Sequence, residues 1–271
     1  MKIKFLGTGA SEGAPALFCQ CDSCKRIRKE KGKNIRRRSG LIIDDRLMID
    51  FGPDTFLQMV EYDLDLTAVE TVAFTHSHSD HFSFEDLLNR GPYASRNRKI
   101  EYTNVYGNEA IVNVLQAQDA EKRFLRPYTF TPNQTVCVGE YQITPLLTQH
   151  AAGENSYVLL VQKGEQSYLH FTDSGYPSEE LLAVLKEKCT NLTMASLDCT
   201  FSTLDKEFYG HMNLNQNVKL KARLIQEGIA TENTLFYATH IFHLGALHDE
   251  LYEAAKPYGI SVAYDGLEVN I

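Results

Sequence analysis

Thr75-His76-Ser77-His78-Ser79-Asp80-His81 is the stretch from which the rest of the chain is read. It follows an apolar run, Thr71-Val72-Ala73-Phe74, with the composition of a buried strand. Three imidazoles and a carboxylate fall within six residues, and the small serines between them do not crowd a shared ligand. Nitrogen and oxygen donors of this kind suit borderline or hard divalent ions such as Zn, Mn or Fe. A lone histidine is more often structural, and His170 and His248 are read that way. Four donor-type side chains packed this closely behind a strand point instead to a metal.

Working outward, short β-rich runs alternate with helical ones. Strands are expected over 2–6, 40–44, 47–50 and 71–75, then over 105–106, 135–138, 141–147, 156–161, 167–171, 192–197, 234–238 and 260–263. Amphipathic periodicity predicts helices over 54–61, 84–89, 109–124, 178–188, 214–227 and 246–256. Sheets with helices outside them form a layered sandwich. His76, His150, Asp173, Asp198 and His240 each stand just after a strand-like run, where the chain leaves a sheet. Function in layered folds concentrates on such loops, so the five point to one shared rim.

The 271 residues suffice for a substantial core, and no Pro-, Gly- or Ser-rich linker divides them, so one domain over 1–271 is expected. With 43% hydrophobic and 23% charged residues the composition is that of an ordinary globular protein. No apolar run reaches membrane-span length and the opening Lys2-Ile3-Lys4-Phe5 is no signal peptide, so the expected location is cytoplasmic and no membrane partner is expected. A net charge of -8 argues against a dominant polyanion-binding surface. Lys25 to Arg38 nevertheless holds nine basic residues against Glu30 alone. That run reads either as a solvated helix face followed by a loop or as a local phosphate-attracting rim.

A second signal is Cys19-x-Cys21-x-x-Cys24, beside the glycine-bearing loop Gly7-Thr8-Gly9-Ala10-Ser11-Glu12-Gly13. Three thiolates need a fourth donor to close a tetrahedral structural zinc site. Cys137, Cys189 and Cys199 lie in apolar settings and are read as buried fillers.

Thr-His-x-His-x-Asp-His behind a strand resembles the signature of the metallo-β-lactamase superfamily. The likeness continues in order through Asp50, His150, Asp173 and His240. The resemblance implies an α/β, four-layer αββα sandwich with a dinuclear site on its rim. It implies that His76, His78 and His150 bind one divalent metal, that Asp80, His81 and His240 bind the second, and that Asp173 bridges them. Adjacent divalent ions suit hydrolysis because they acidify a water and stabilise charge on attacking and leaving oxygens. Asp50 and Asp265 are candidates for fixing imidazole tautomers.

Within the superfamily the cysteine motif resembles the PhnP-type phosphodiesterases of the carbon-phosphorus lyase pathway. Leu197-Asp198-Cys199, His211-x-Asn213-Leu214-Asn215, Thr239-His240-Ile241-Phe242-His243 and Tyr264-Asp265-Gly266 extend the match over essentially the whole chain. By that resemblance His243 is the fourth ligand of one structural Zn, with Cys19, Cys21 and Cys24. His211 contacts phosphate or protonates the leaving group, and Asp80 joins it as a catalytic residue. Leu17-Phe18, Met212 and the stretch 99–124 depart from the pattern. The expected activity is hydrolysis of small, including cyclic, phosphodiesters, with two Mn, Zn or Fe ions. Rival readings are a tRNase Z-like tRNA 3′ endonuclease, lactone or thioester hydrolysis, and a non-catalytic carrier similar to PqqB. A nucleic acid partner belongs only to the first rival, and a homodimer is allowed for.

Overall fold

Alternate side chains of each central strand are buried on opposite faces, which stacks the chain in layers. The computed structural model describes residues 1–206 and 209–271. β1 (Lys2–Gly7), β2 (Gly40–Ile43), β3 (Leu47–Ile49), β4 (Thr71–Ala73), β5 (Thr103–Gly107) and β6 (Leu125–Thr129) lie side by side in one sheet. β7 (Val136–Val138), β8 (Tyr141–Thr148), β9 (Ser156–Lys163), β10 (Gln166–Phe171), β11 (Met194–Asp198), β12 (Leu235–Thr239) and β13 (Ser261–Val262) make the other. The last strand, β14 (Glu268–Asn270), returns to pair antiparallel with β1.

In β2 and β3, Leu41, Ile43, Leu47 and Ile49 face inward and meet Tyr157, Leu159 and Val161 of β9. Ile42 and Met48 face out, towards Ile111 and Leu115 of a helix. In β9 the alternate residues Val158 and Leu160 pack outward against Leu181, Leu185, Leu220 and Leu224. This period of two, buried on both sides, makes the strands read as unbroken apolar runs. The covering helices are α1 (Asp22–Glu30), α2 (Thr55–Tyr62), α3 (Phe84–Leu87), α4 (Glu109–Ala117), α5 (Glu179–Lys188), α6 (Leu214–Gln226) and α7 (His248–Ala255). The αββα sandwich expected from the sequence is the architecture found. No helix among the described residues is long and apolar enough to cross a membrane.

Strand direction collects the loops that matter. β3, β4, β5 and β6 run parallel, as do β10, β11, β12 and β13. β8 and β10 are both antiparallel to β9 and therefore point the same way. The carboxyl ends of β8, β10, β11 and β12 thus share one edge, where parallel sheets commonly bind ligands.

The expected helix over 109–124 ends at Ala117, and Asp119 and Phe124 adopt left-handed backbone on either side of a short 3-10 turn. β6 lies outside the strands expected from sequence and contains Pro127. As the sheet's outermost strand, β6 pairs only with β5 and tolerates a residue without an N–H. Cys189 and Cys199 are buried as expected, but Cys137 is exposed. It sits in the edge strand β7 opposite exposed Gln142, on the face turned from the core.

Candidate metal centre and active site

Beyond β4 the chain turns under Asp50. The Thr75 N–H donates to Asp50 Oδ1 at 2.8 Å, and the Thr75 hydroxyl lies 3.0 Å from Oδ2. Asp50 Oδ2 is in turn 2.7 Å from His81 Nδ1. That contact aims His81 Nε2 at Asp80 Oδ2 (3.2 Å) and Asp173 Oδ2 (3.1 Å). Gly52 makes this turn possible, since a Cβ there would stand 2.2 Å from the Asp80 carbonyl oxygen. Glu154 braces the motif from the far side, accepting the Ser77 N–H at 3.0 Å and its hydroxyl at 2.6 Å. The sequence carries no signal for Glu154, a polar loop residue 77 positions from its partner.

The second sheet supplies the opposing donors. His150 Nε2 lies 3.3 Å from His78 Nδ1 and 3.3 Å from Asp173 Oδ1. His240 Nε2 is 3.1 Å from Asp173 Oδ2. The expected sets are therefore brought together: His76, His78 and His150 in one group, Asp80, His81 and His240 in another, with Asp173 against members of both. Each group has its ligand atoms within 4.8 Å of one another and could hold a metal ion.

Four atoms test that fit. His76 Nε2, His81 Nε2, His240 Nε2 and Asp173 Oδ2 are buried and have no hydrogen-bond partner. Such orphans are costly unless something satisfies them, and divalent ions held in the two groups would satisfy all four. Electrostatics agree. Burial opposes charge on His81, yet Asp173, Asp50 and Asp80 outweigh it and raise its pKa well above the ordinary value. Burial likewise opposes charge on Asp173, but His240 and His81 hold it well below the carboxylate range. For His76, burial and then His81 push the pKa far down. The carboxylates demand positive charge at this point, which a bound divalent ion would supply in place of the His81 proton, while His76 stays neutral. Backbone strain gathers here too, with φ of 62° at Asp50, 49° at Asp173 and 57° at His240.

His211 and Asp198 form a second layer. Asp198 Oδ1 accepts the N–H groups of Thr200 (3.1 Å) and Met212 (2.9 Å), and Oδ2 accepts that of Asp173 (3.1 Å). Oδ2 also lies 3.0 Å from His211 Nδ1. Despite full burial, His211 and His240 hold Asp198 ionised, at about 2. Thr200 Oγ1 reaches His240 Nδ1 at 2.9 Å. Asp198 was placed on the rim from sequence but given no role, and Thr200 was missed. The other tautomer candidate, Asp265, does not reach an imidazole. It accepts from Thr8 N–H (2.9 Å), the Thr8 hydroxyl (2.7 Å) and Arg37 N–H (2.7 Å), tying the glycine loop to the basic run.

Cys19, Cys21, Cys24 and His243 do converge, their ligand atoms within 4.8 Å. Cys21 caps α1 by accepting the Cys24 N–H at 3.4 Å. Glu12 Oε1 takes the His243 N–H at 3.1 Å and lies 2.8 Å from His243 Nδ1, which leaves Nε2 for the sulfurs. Nothing in the sequence singled out Glu12. The basic run is mostly absorbed by structure. Arg36 is buried and donates to Thr8 Oγ1 (2.7 Å), Arg38 pairs with Asp54 (3.0 Å), Arg26 pairs with Glu250 (2.6 Å), and Arg37 pairs with Glu61. His170 and His248 are buried away from the donor groups, as read.

His78, Asp80, His150, Asp173 and His240 floor a cavity of about 520 Å³ that Phe201, Lys206, His211 and Phe242 also line. The sequence profile described as a beta-lactamase superfamily domain matches residues 45–241. A protein named octanoyltransferase from Porphyromonas gingivalis is 27% identical along this whole chain, which spans 52% of that relative's length. That name describes the whole of the longer protein. A solved diphosphatase of the PhnP family aligns over 99% of this chain and 97% of its own, with a TM-score of 0.76 and 21% identity. Zn(2+)-bound PqqB from Methylobacterium extorquens aligns over 100% of both chains, with a TM-score of 0.76 and 16% identity. Two seven-stranded mixed sheets, helices on both outer faces and the profile match over most of the chain together establish that it belongs to the metallo-β-lactamase superfamily.

Proposed function

We propose that this chain is a metal-dependent phosphodiesterase for small diesters, cyclic ones included. One observation carries the reading: four buried donor atoms without a hydrogen bond, on His76, His81, His240 and Asp173, gather where Asp173 and His240 open onto a cavity that His211 also lines. His76, His78 and His150 would hold one divalent metal and Asp80, His81 and His240 the other, with Asp173 between them. Metals so held would act as Lewis acids toward the phosphoryl oxygens and supply an acidified water.

The chain's own groups do the rest. Asp50 keeps the His81 proton on Nδ1, leaving Nε2 free to donate its lone pair. Asp198, ionised at neutral pH, fixes His211 through Nδ1 and leaves Nε2 for the cavity. As the water oxygen bonds to phosphorus and the ester P–O bond breaks, His211 Nε2 gives its proton to the leaving oxygen. Asp80 and Asp173 add negative charge, which favours a diester with one charge over a monoester with nearly two.

The test pairs bis(p-nitrophenyl) phosphate with p-nitrophenyl phosphate, and includes precursor tRNA. The diester should be cleaved far faster, and His211→Ala should lower turnover about a hundred- to ten-thousand-fold with both metals retained. Faster monoester cleavage would refute the reading, and efficient tRNA 3′ cleavage would pass the case to an endonuclease.

A further inference from the structure

We propose that the edge of the fold opposite the metal centre docks an acidic, amphipathic segment of a partner protein. Arg96, Arg123 and Arg126 meet its carboxylates, and the groove beside Arg90 takes its apolar side. The proposal concerns a partner and is independent of the substrate.

The first observation is unmatched charge. Arg26, Arg37, Arg38, Arg46 and Arg223 each pair with a carboxylate. Among the described residues no carboxylate pairs with Arg90, Arg96, Arg98, Arg123 or Arg126, although Glu101 and Glu121 lie on the same two stretches of chain. The lysines beside them are matched, Lys99 by Asp65 at 2.7 Å and Lys122 by Asp119 at 2.8 Å. In a chain of net charge -8, arginines left over beside matched lysines mark where a partner brings negative charge of its own. Arg96, Arg123 and Arg126 are exposed, and an arginine fork meets a carboxylate two bonds at a time.

The second observation is that the fold gathers these side chains at a cost. Arg98 donates to the Ser95 carbonyl at 2.8 Å and lies 3.9 Å from the centre of the Phe124 ring. Arg126 lies 3.9 Å from the centre of the Tyr102 ring, and the two rings are 5.6 Å apart. Arg123 packs on Gly91, where a Cβ would stand 2.5 Å from its Cδ. Phe124 has φ of 60°, a left-handed backbone that a bulky side chain rarely adopts. Burial, and then the charge of Arg98, pull Arg90 down to about 10. Strain and crowded like charge of this kind persist where the surrounding structure imposes them, and they cluster at working surfaces.

Strand direction separates the patch from the chemistry. The histidine motif follows the carboxyl end of β4, whereas residues 91–102 and 120–124 lead into the amino ends of β5 and β6, which run parallel to β4. The Ile100 N–H accordingly donates to Thr67 O at 3.3 Å, in the turn before β4. A groove of about 240 Å³ opens beside the arginines, lined by Met59, Leu66 and Leu87 together with Asp86, Arg90 and Ser95. A mainly apolar groove beside unmatched arginines fits a helix with an apolar stripe and acidic flanks. A long polyanion fits less well, because Asp65, Glu101, Asp119 and Glu121 border the patch and repel a chain that runs past it.

Fluorescence anisotropy on the full, metal-loaded chain tests this with a labelled peptide that has leucine at every third or fourth place and glutamate between. Wild type should bind it with an affinity that falls as salt is raised. Arg96→Glu combined with Arg123→Glu should weaken binding about tenfold or more, with Tm and metal content unchanged. Arg26→Gln combined with Lys29→Gln, in the matched basic run, should leave binding as it is. A peptide with serine for leucine should bind about tenfold more weakly. No binding, or wild-type affinity in the Arg96→Glu, Arg123→Glu protein, overturns the proposal, and equal binding of the serine peptide overturns the role of the groove. Tighter binding of an oligouridylate of equal charge makes the patch a nucleic-acid surface instead. A dimer by sedimentation that the same two substitutions dissolve puts a second copy of the chain there, and either result also overturns the proposal.

Discussion

Asp50→Asn is the most informative single change at the metal centre, because it removes one charge and almost nothing else. The position has φ of 62°, which asparagine adopts readily, so no backbone strain is added. An amide oxygen can still accept the Thr75 N–H that now donates at 2.8 Å. What is lost is the carboxylate oxygen 2.7 Å from His81 Nδ1, in a pair whose side chains are both 0% exposed. A hydrogen bond to a charged group contributes roughly 1.5–3 kcal/mol. Removing a carboxylate behind a ligating histidine costs about 10- to 100-fold in metal affinity. The two magnitudes agree, tenfold being about 1.4 kcal/mol. An amide N–H₂ facing Nδ1 also favours the tautomer with its proton on Nε2, the nitrogen a metal would need. Chelator competition should therefore show the Asp80–His81–His240 site weakened by 10- to 100-fold, while the metal-free protein melts within a few degrees of wild type. Affinity within twofold of wild type would refute the tautomer argument.

Three further outcomes are expected. Cys21→Ser combined with Cys24→Ser should lose one zinc per chain by elemental analysis and lower Tm, because small zinc modules gain roughly 10 kcal/mol or more from their metal; wild-type zinc content would exclude the knuckle. Gly52→Ala puts a methyl group 2.2 Å from the Asp80 carbonyl and should cost about 1–3 kcal/mol and weaken metal binding, so an unchanged Tm with full metal content would show that the loop yields freely. Burial, then Arg36 and Lys33, holds His248 at about 4 against 6.5 unfolded. The unfolded chain thus takes up a proton first, and stability falls as pH drops from 6.5 toward 4, by about 3 kcal/mol in all. His248→Gln should flatten that limb in urea titrations, and an identical slope would remove His248 as its cause.

The candidate metal donors were the most legible part of the site because a short spacing encodes them. His76, His78, Asp80 and His81 sit in one loop, and the remaining donors each follow an apolar strand. Their supporting groups were legible only where the same pattern held. Asp50 ends a strand and was found. Glu12, Glu154 and Thr200 are ordinary loop residues whose importance comes from a partner distant in sequence, 231 positions away for Glu12 and His243. Asp265 stands at a strand-end turn like Asp50, yet its neighbours are backbone donors and arginines, a difference made by packing alone. The fold shows the same division. Two-sided apolar runs predicted the central strands, whereas β6 and β14, edge strands with few apolar residues, left no comparable trace.

The donors divide between the sheets: His76, His78, Asp80 and His81 follow β4 of one, while His150, Asp173 and His240 follow strands of the other. An ion held among them would rivet the two halves of the sandwich at one edge and close a loop of more than half the chain. Such a rivet makes metal affinity a gauge of how the sheets are seated. At a hundredfold excess over Kd, the ion would contribute about 2.7 kcal/mol to keeping them docked. Leu159 lies in the seam between the sheets, touches no donor in sequence and is 0% exposed. Truncating it would let the sheets shift, and the change would register as a weaker grip on metal before it reached any group that handles substrate.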